Sequence, residues 1–346
     1  MKDIERSLDK AMVKEQWLFG GKQIQRTGNP FEWVESRTAV VKTIQRFGGM
    51  LALIRWFQTY DELYPTPDEL IIDEYEKVRE MYKEKLIDAL NYFTPFLDLA
   101  QINQNALEGM ATMRTVDYCF IKKFANSLST GFNHLDLGPG LGTHALYSLE
   151  EFKSNFYAVE AVPYTYEMQR YFFRYLSLTW PQYLDIIECE NFCLNDKKIN
   201  YELNENPNYR IRHVPSWNFQ LMKSQSIDLI TATFMLNEIS EAGLLWLLSN
   251  SLKVLKNGGF FYIRDSGQLK PGKHNINYDE LMLKLGFKLV KRFNARNRVD
   301  LHGIPRLYQK IDNSYYSYKH LINKCLGHFF VQNLDAKSLE VKDISL

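Results

Sequence analysis

The chain has 346 residues, 45% of them hydrophobic and 24% charged, with a formal net charge of +1. That length accommodates a large α/β domain beside a smaller helical region, and near-neutral charge supplies no global field for DNA, RNA or an anionic membrane surface. Four scattered cysteines (Cys119, Cys189, Cys193 and Cys325) exclude a disulfide framework and fit a reduced, cytoplasmic setting; no apolar run reaches the roughly 18 residues of a spanning helix, and the charged start, Met1 to Arg6, lacks an apolar signal core.

Residues 1–109 read as helical. Val40 to Tyr60 mixes apolar and polar residues at helical spacing. After the break Tyr64-Pro65-Thr66-Pro67, the stretch Asp68 to Leu90 is amphipathic, with Leu70, Ile71, Tyr75, Val78, Met81 and Tyr82 recurring three or four apart. Gly109 to Leu128 predicts a helix leading into the next unit. From residue 131 short apolar runs alternate with helices, the pattern of a parallel sheet. Predicted strands are Phe132–Leu137, Asn155–Glu160, Ile227–Ala232 and Gly259–Ile263, the last approached through the turn Lys256-Asn257-Gly258-Gly259. Beyond it, Tyr278 to Leu285 reads as helix, Gly286-Phe287 turns into a strand over Lys288–Phe293, and Pro305–Ile311 is the last strand. Between the helix near Tyr164–Leu178 and the strand at Ile227 stand two candidates, Asp185–Cys189 and Tyr209–Val214. The second is favoured, because the short loop Pro215-Ser216-Trp217-Asn218 follows it, and residues 179–208 then read as an insertion. The organisation expected is a helical region 1–109, an α/β domain 110–312 and a tail 313–346.

The sharpest signal is Asp136-Leu137-Gly138-Pro139-Gly140-Leu141-Gly142-Thr143, directly after a predicted strand and before a helix starting near His144. Glycines there allow a tight turn and close approach of a ligand to backbone N–H groups. A dinucleotide fingerprint requires Gly or Ala where Thr143 stands, and the carboxylate of Asp136 would repel a pyrophosphate but attract a cationic group. Glu160 ends the next strand, 160 − 136 = 24 residues on, where a carboxylate accepts from both hydroxyls of a ribose.

With these elements in place, His134–Gly142 resembles motif I, and Ala158-Val159-Glu160 motif II, of the class I S-adenosylmethionine-dependent methyltransferases. Ile227–Thr233 resembles that fold's fourth strand and Leu252–Gly259 the approach to its fifth, and the resemblance covers roughly residues 110–311. It implies a Rossmann-like α/β sheet, mostly parallel with an antiparallel last strand, that binds S-adenosylmethionine. More narrowly, Ala161-Val162-Pro163-Tyr164 and Met235-Leu236-Asn237-Glu238-Ile239 resemble sugar O-methyltransferases of bacterial surface-polysaccharide loci, which implies a sugar hydroxyl in a glycan or its precursor as acceptor.

Carried over by position, Gly138, Gly140 and Gly142 contact the methionine part of the cofactor, Asp136 acts near its amino group directly or through water, and Glu160 holds the ribose. Trp217 and Asn218 stand where the family has an acidic residue for adenine, so Asn218 would hydrogen-bond the base and Trp217 stack on it. Thr233 and Phe234 line the site after the fourth strand. Deprotonating an alcohol calls for a positioned base. The candidates are Glu238, beside the Asn237 that replaces the histidine of many family members, then Asp265 in Arg264-Asp265-Ser266, then His302. Each also has a structural reading: a helix-start carboxylate, an ion pair with Arg264, a solvated loop. His134 lies in a strand and packs, whereas His144 touches the cofactor or is exposed.

No metal is expected, since no two histidines stand at ligand spacing with a carboxylate and Cys189 and Cys193 have no partner pair, although scattered carboxylates could still hold magnesium. Phe31-Glu32-Trp33 and Arg55-Trp56-Phe57 either cap the pocket against a sugar or form core and a homodimer surface. Three other readings stay open: a methyltransferase for another small metabolite, a non-catalytic module that keeps the fold, and a nicotinamide-dependent dehydrogenase, the last disfavoured by Thr143 and Asp136. Nucleic-acid methylation is disfavoured by charge and by the lack of an Asn-Pro-Pro-Tyr or Asp-Pro-Pro-Tyr run.

Overall fold

The structure, a computed structural model, describes residues 73–93, 103–160, 163–179, 185–188, 201, 203–205, 209–233, 235–236, 241–265, 277–293 and 303–312. The expected helix at Val40–Tyr60, the aromatic clusters at Phe31–Trp33 and Arg55–Phe57, and the tail beyond residue 312 lie outside these residues.

Two long helices come first, α1 (Tyr75–Phe93) and α2 (Gln104–Phe124). The first begins later than the predicted Asp68, and the residues before 73 lie outside the described set. The start of α2 is capped by Asn103, whose side chain accepts from the Asn105 amide at 2.9 Å, and Lys122 and Lys123 sit in its last turn, where cations offset the exposed carbonyls. This helix runs across the expected boundary at 109/110.

The strands are β1 (Asn133–Leu137), β2 (Asn155–Glu160), β3 (Asp185–Glu188), β4 (Tyr209–Pro215), β5 (Ile227–Thr233), β6 (Leu255–Asp265), β7 (Phe287–Arg292) and β8 (Ile304–Lys310). They form a sheet in the order β3-β4-β2-β1-β5-β6-β8-β7. All pairings are parallel except those of β8, which runs antiparallel to both β6 and β7. The alternation of elements predicted the parallel part of this sheet, and the resemblance implied its Rossmann-like form with an antiparallel last strand. The connecting helices are α3 (His144–Glu150), α4 (Pro163–Thr179), α5 (Glu241–Val254) and α6 (Tyr278–Lys284), with a 3-10 turn at Ser216–Leu221.

Strand alternation sends residues to opposite faces. One face (Leu135, Leu137, Val159, Ile230, Ala232, Phe261 and Ile263) packs against α5 and α6. The other (Phe156, Ala158, Leu229, Phe260, Tyr262) packs against α1, α2, α3 and α4. Tyr75, Val78 and Tyr82 of α1 belong to this second core, so the two leading helices help build the α/β layer.

Two local expectations are corrected. Both strand candidates of the ambiguous region enter the sheet: Tyr209–Pro215 pairs with β2, as favoured, and Asp185–Glu188 extends the sheet as an edge strand on β4. Segment 179–208 thus returns to the sheet, and Leu203 is buried in the first core. The strand predicted to start at Gly259 starts at Leu255, because Lys256–Gly259 form a bulge that shifts register between Ile227↔Leu255 and Leu229↔Phe260, rather than a turn outside the strand.

Candidate functional site

The parallel strands end along one edge of the sheet: Leu137 pairs with Val159 and Ala232, Glu160 with Pro215, and Thr233 with Arg264. Strand order reverses about β1, which has β2 on one side and β5 on the other. A crevice opens at such a switch point in open α/β sheets and is where ligands bind. The glycine loop leaves β1 there. Gly138, Gly140 and Gly142 all have positive φ (57°, 61° and 76°), a region costly to residues with a Cβ. Their surroundings differ. A Cβ on Gly142 would lie 2.7 Å from the Phe173 ring and one on Gly138 would lie 3.2 Å from Met235, whereas one on Gly140 would have nothing within 4 Å. The middle of the loop therefore faces open space where a ligand can approach the backbone.

Beneath the loop runs a buried polar seam. Its strand residues lie two apart on the face toward α2: His134 and Asp136 on β1, Thr231 and Thr233 on β5, Tyr262 and Arg264 on β6. Register aligns Asp136 with Thr231 and Thr231 with Tyr262. Asp117 of α2 is fully buried at its centre. It accepts from Arg264 Nε at 2.5 Å, from Arg264 Nη2 at 2.8 Å and from Tyr262 Oη at 2.6 Å. Burial works against its charge, but the Arg264 guanidinium and His144 together hold the carboxyl well below the usual carboxylate range.

Asp136 is equally buried, accepting from Thr231 at 2.7 Å and from His144 Nδ1 at 2.7 Å. Burial again opposes its ionisation, and His144, with His134 and Thr231, offsets it, so its carboxyl is also held low. The seam continues from Thr231 to His134 Nε2 at 2.8 Å, and His134 Nδ1 reaches the Ser148 hydroxyl. His144, expected at the cofactor or at the surface, is instead fully buried, because the turn Gly142-Thr143 aims the first side chain of α3 down between Asp136 and Asp117.

Arg114 joins this seam to the crevice. Its Nε donates to Thr143 Oγ1 at 3.0 Å, and its Nη1 donates to Thr233 Oγ1 at 3.2 Å and to His144 Nε2 at 2.7 Å. Asp117 lies 3.5 Å from Nη1. The Arg114 side chain keeps 12% exposure, and its Nη2 donates to no described residue. The guanidinium thus stands between the end of the glycine loop and the end of β5.

On the other side of the loop, Gln169 of α4 is fully buried. Its Nε2 donates to the Gly140 carbonyl at 2.7 Å and to Glu160 Oε2 at 2.8 Å, and its Oε1 accepts from His213 Nε2 at 2.9 Å. His213 stacks on Tyr166 with ring centroids 3.7 Å apart. Burial, with the Arg170 charge second, pushes the His213 pKa well below its ordinary value, so the ring is neutral.

Of the residues expected at the site, the structure brings Gly138, Gly140, Gly142, Glu160, Thr233 and the backbone around Asn218 to the same sheet edge. Thr233 bonds to Arg114, and Asn218 lies buried in the 3-10 turn after β4. Asp136 is turned into the seam, where protein groups bond both of its oxygens. Asp265 is the last residue of β6, buried, and accepts from Tyr278 Oη at 3.3 Å. Its neighbour Arg264 engages Asp117, so the ion pair read within Arg264-Asp265 is replaced by one that reaches across to α2. The Trp217 side chain, Phe234, Glu238 and His302 lie outside the described residues.

Sequence reasoning missed Arg114, Asp117 and Gln169. Each sits inside a helix where nothing local marks it. The available signal was the period-two recurrence of polar residues in three strands, which required buried partners opposite. Among the described residues, no group of three or more His, Cys, Asp or Glu is arranged to hold a metal ion, and no helix is long and apolar enough to cross a membrane.

No family model and no curated protein matches the chain. Solved structures do. One is a SAM-dependent methyltransferase from Aquifex aeolicus, at 15% identity over 56% of this chain and 88% of that one, with a TM-score of 0.38. Another is the 1,6-didemethyltoxoflavin-N1-methyltransferase of Burkholderia thailandensis with 1,6-didemethyltoxoflavin and S-adenosylhomocysteine bound, at 16% identity over 72% and 94%, TM-score 0.39. A third is phosphoethanolamine N-methyltransferase 1 of Haemonchus contortus, at 14% identity over 73% of this chain, TM-score 0.40, and the chain spans 54% of that protein's length. The strand order and pairing, rather than these scores, define the fold.

Proposed function

We propose that the protein is an S-adenosylmethionine-dependent methyltransferase. The observation that carries this reading is the placement of a three-glycine loop, its middle open to solvent, at the switch point of a parallel sheet with Glu160 ending the adjacent strand. The residues present fit the group. Gly140 leaves room for a ligand against the backbone, Glu160 offers a carboxylate to a ribose diol, and the partly exposed Arg114 offers a cation to the carboxylate of an amino acid. Asp136, enclosed by His144 and Thr231, acts on the cofactor's positive end through its field and by fixing the loop, not by contact. Asn218 and Trp217 stand after β4 for the adenine, and Thr233 and Phe234 after β5.

When bound, the cofactor supplies a methyl group on positive sulfur, so the protein's work is alignment and removal of the acceptor's proton. We read the acceptor as a sugar hydroxyl of a bacterial surface glycan or its precursor, on the likeness of Ala161–Tyr164 and Met235–Ile239 to that group of enzymes. Glu238 is the first candidate base. Asp265 is buried against Tyr278, whose hydroxyl burial and Asp265 keep protonated, and this favours a positioning role for it over proton removal. His302 remains the third candidate.

The test is calorimetric titration with S-adenosylmethionine and S-adenosylhomocysteine, for the natural chain and for Glu160→Ala. Micromolar binding that weakens at least about tenfold in the variant is the expected result, the scale of a lost hydrogen bond to a charged group. Absence of binding removes the proposal. Binding without transfer of labelled methyl to any sugar or small-metabolite acceptor favours a non-catalytic module.

A further inference from the structure

Gln169 lies on a helix that no motif singles out, yet its side chain bonds both the glycine loop and Glu160. Its amide is saturated. Both hydrogens are committed, one to the Gly140 carbonyl and one to Glu160 Oε2, and the oxygen accepts from His213. The direction of the amide is determined by its partners. A carbonyl and a carboxylate only accept, so the nitrogen must face them, and the oxygen is left for a ring N–H. His213 provides that N–H because it is neutral, buried and stacked on Tyr166, with Nδ1 lacking a hydrogen-bond partner. The Gln169 Cγ also lies 3.5 Å from the position a Cβ would take on Gly142.

We propose that Gln169 is a positioning residue for the nucleoside part of the cofactor: it ties the glycine loop to Glu160, so that the loop and the ribose-holding carboxylate keep one fixed relation before any ligand arrives. This rests on the function proposed above. A carboxylate at a strand end can rotate about its side-chain bonds, and ordering it on binding costs affinity. Donation from Gln169 fixes the Oε2 oxygen of Glu160 in advance. Because the same nitrogen holds the Gly140 carbonyl, a shift of the loop is transmitted to Glu160.

The test uses two near-isosteric variants, Gln169→Leu and Gln169→Glu, with binding of 5′-methylthioadenosine and its 2′-deoxy counterpart measured by calorimetry from about pH 5.5 to 8.5, a range that spans ordinary histidine titration and the raised titration of a shared carboxylate pair. The groups facing position 169 are Glu160 from β2, His213 from β4 and, acting on His213, Arg170 from α4. Gln169→Leu is expected to reduce the preference for the ribose ligand over the deoxy ligand by about tenfold, the scale of a hydrogen bond to a charged group. Gln169→Glu is expected to bind weakly at about pH 8 and to recover toward natural affinity as pH falls, when the two facing carboxylates share a proton. Equal loss for both ligands in Gln169→Leu, or a pH profile in Gln169→Glu parallel to that of the natural chain, overturns the role of Gln169 while leaving the cofactor reading intact. Failure of the natural chain to bind either nucleoside overturns the role of Gln169, and failure to bind S-adenosylhomocysteine as well overturns both.

Discussion

Two buried histidines make stability fall with acid well before any carboxylate titrates. Both His134 and His213 are fully buried. Burial lowers the His134 pKa to about 3 and that of His213 well below its ordinary value. A group whose folded pKa is depressed binds its proton more readily when unfolded, so stability is lost as pH falls through the unfolded value of about 6.5. At about pH 5 an unfolded histidine is almost entirely protonated and the folded His134 is not, which corresponds to about 2 kcal/mol for that ring relative to about pH 7.5, and His213 acts in the same direction. Asp117 and Asp136 are also depressed, but their contribution is full above about pH 5 and is lost progressively below it, so the histidine effect dominates between about pH 7.5 and about pH 5. Urea unfolding at several values between about pH 7.5 and about pH 5 measures the loss. In His134→Gln, whose amide can still reach Thr231 and Ser148, the drop across that range should be smaller than in the natural chain by about 2 kcal/mol. An identical drop in the two proteins would refute the assignment of His134 as a buried neutral ring.

Asp117→Asn keeps the volume but removes the charge that faces Arg264, and unfolding free energy should fall by about 3–5 kcal/mol; a loss under about 1 kcal/mol in urea would mean the seam is not a paired-charge network. Arg114→Gln should weaken S-adenosylhomocysteine by about tenfold or more while leaving 5′-methylthioadenosine, which lacks the amino acid, unchanged; equal weakening of both, by calorimetry, would make Arg114 purely structural. The loop glycines should separate in the same assays. Gly142→Ala meets the Phe173 ring and should cost about 1–3 kcal/mol of stability, whereas Gly140→Ala meets no protein atom and should cost less stability but abolish ligand binding.

What the sequence disclosed and what it hid divide along the range of the interactions. The glycine loop, Glu160 and the parallel strands were legible because each is written within a few residues: a turn needing positive φ, a carboxylate at a strand end, an apolar run between breaks. The bulge at Lys256–Gly259 was misread as a turn because the same glycines serve both, and only pairing with β5 distinguishes them. The edge strand Asp185–Glu188 has four residues, too few for periodicity to separate it from a loop. His144 could not be placed from its position at the start of a helix, because its burial depends on Asp117, 144 − 117 = 27 residues upstream on α2.

The seam's own logic was nevertheless present in the strands. His134 and Asp136, Thr231 and Thr233, Tyr262 and Arg264 repeat at period two within stretches otherwise apolar, and a buried charge must find a partner or neutralise. Three strands presenting polar groups to one face therefore demanded a polar helix above them, and α2, with Arg114 and Asp117 three apart on one side, supplies it. An apolar interior would be at least as stable as this network. Its position, directly under the glycine loop with Arg114 reaching from Asp117 to Thr143 and Thr233, gives it a different value. Charges already oriented by one another do not reorganise when a charged ligand arrives, so the cost of ordering the site is met during folding rather than during binding.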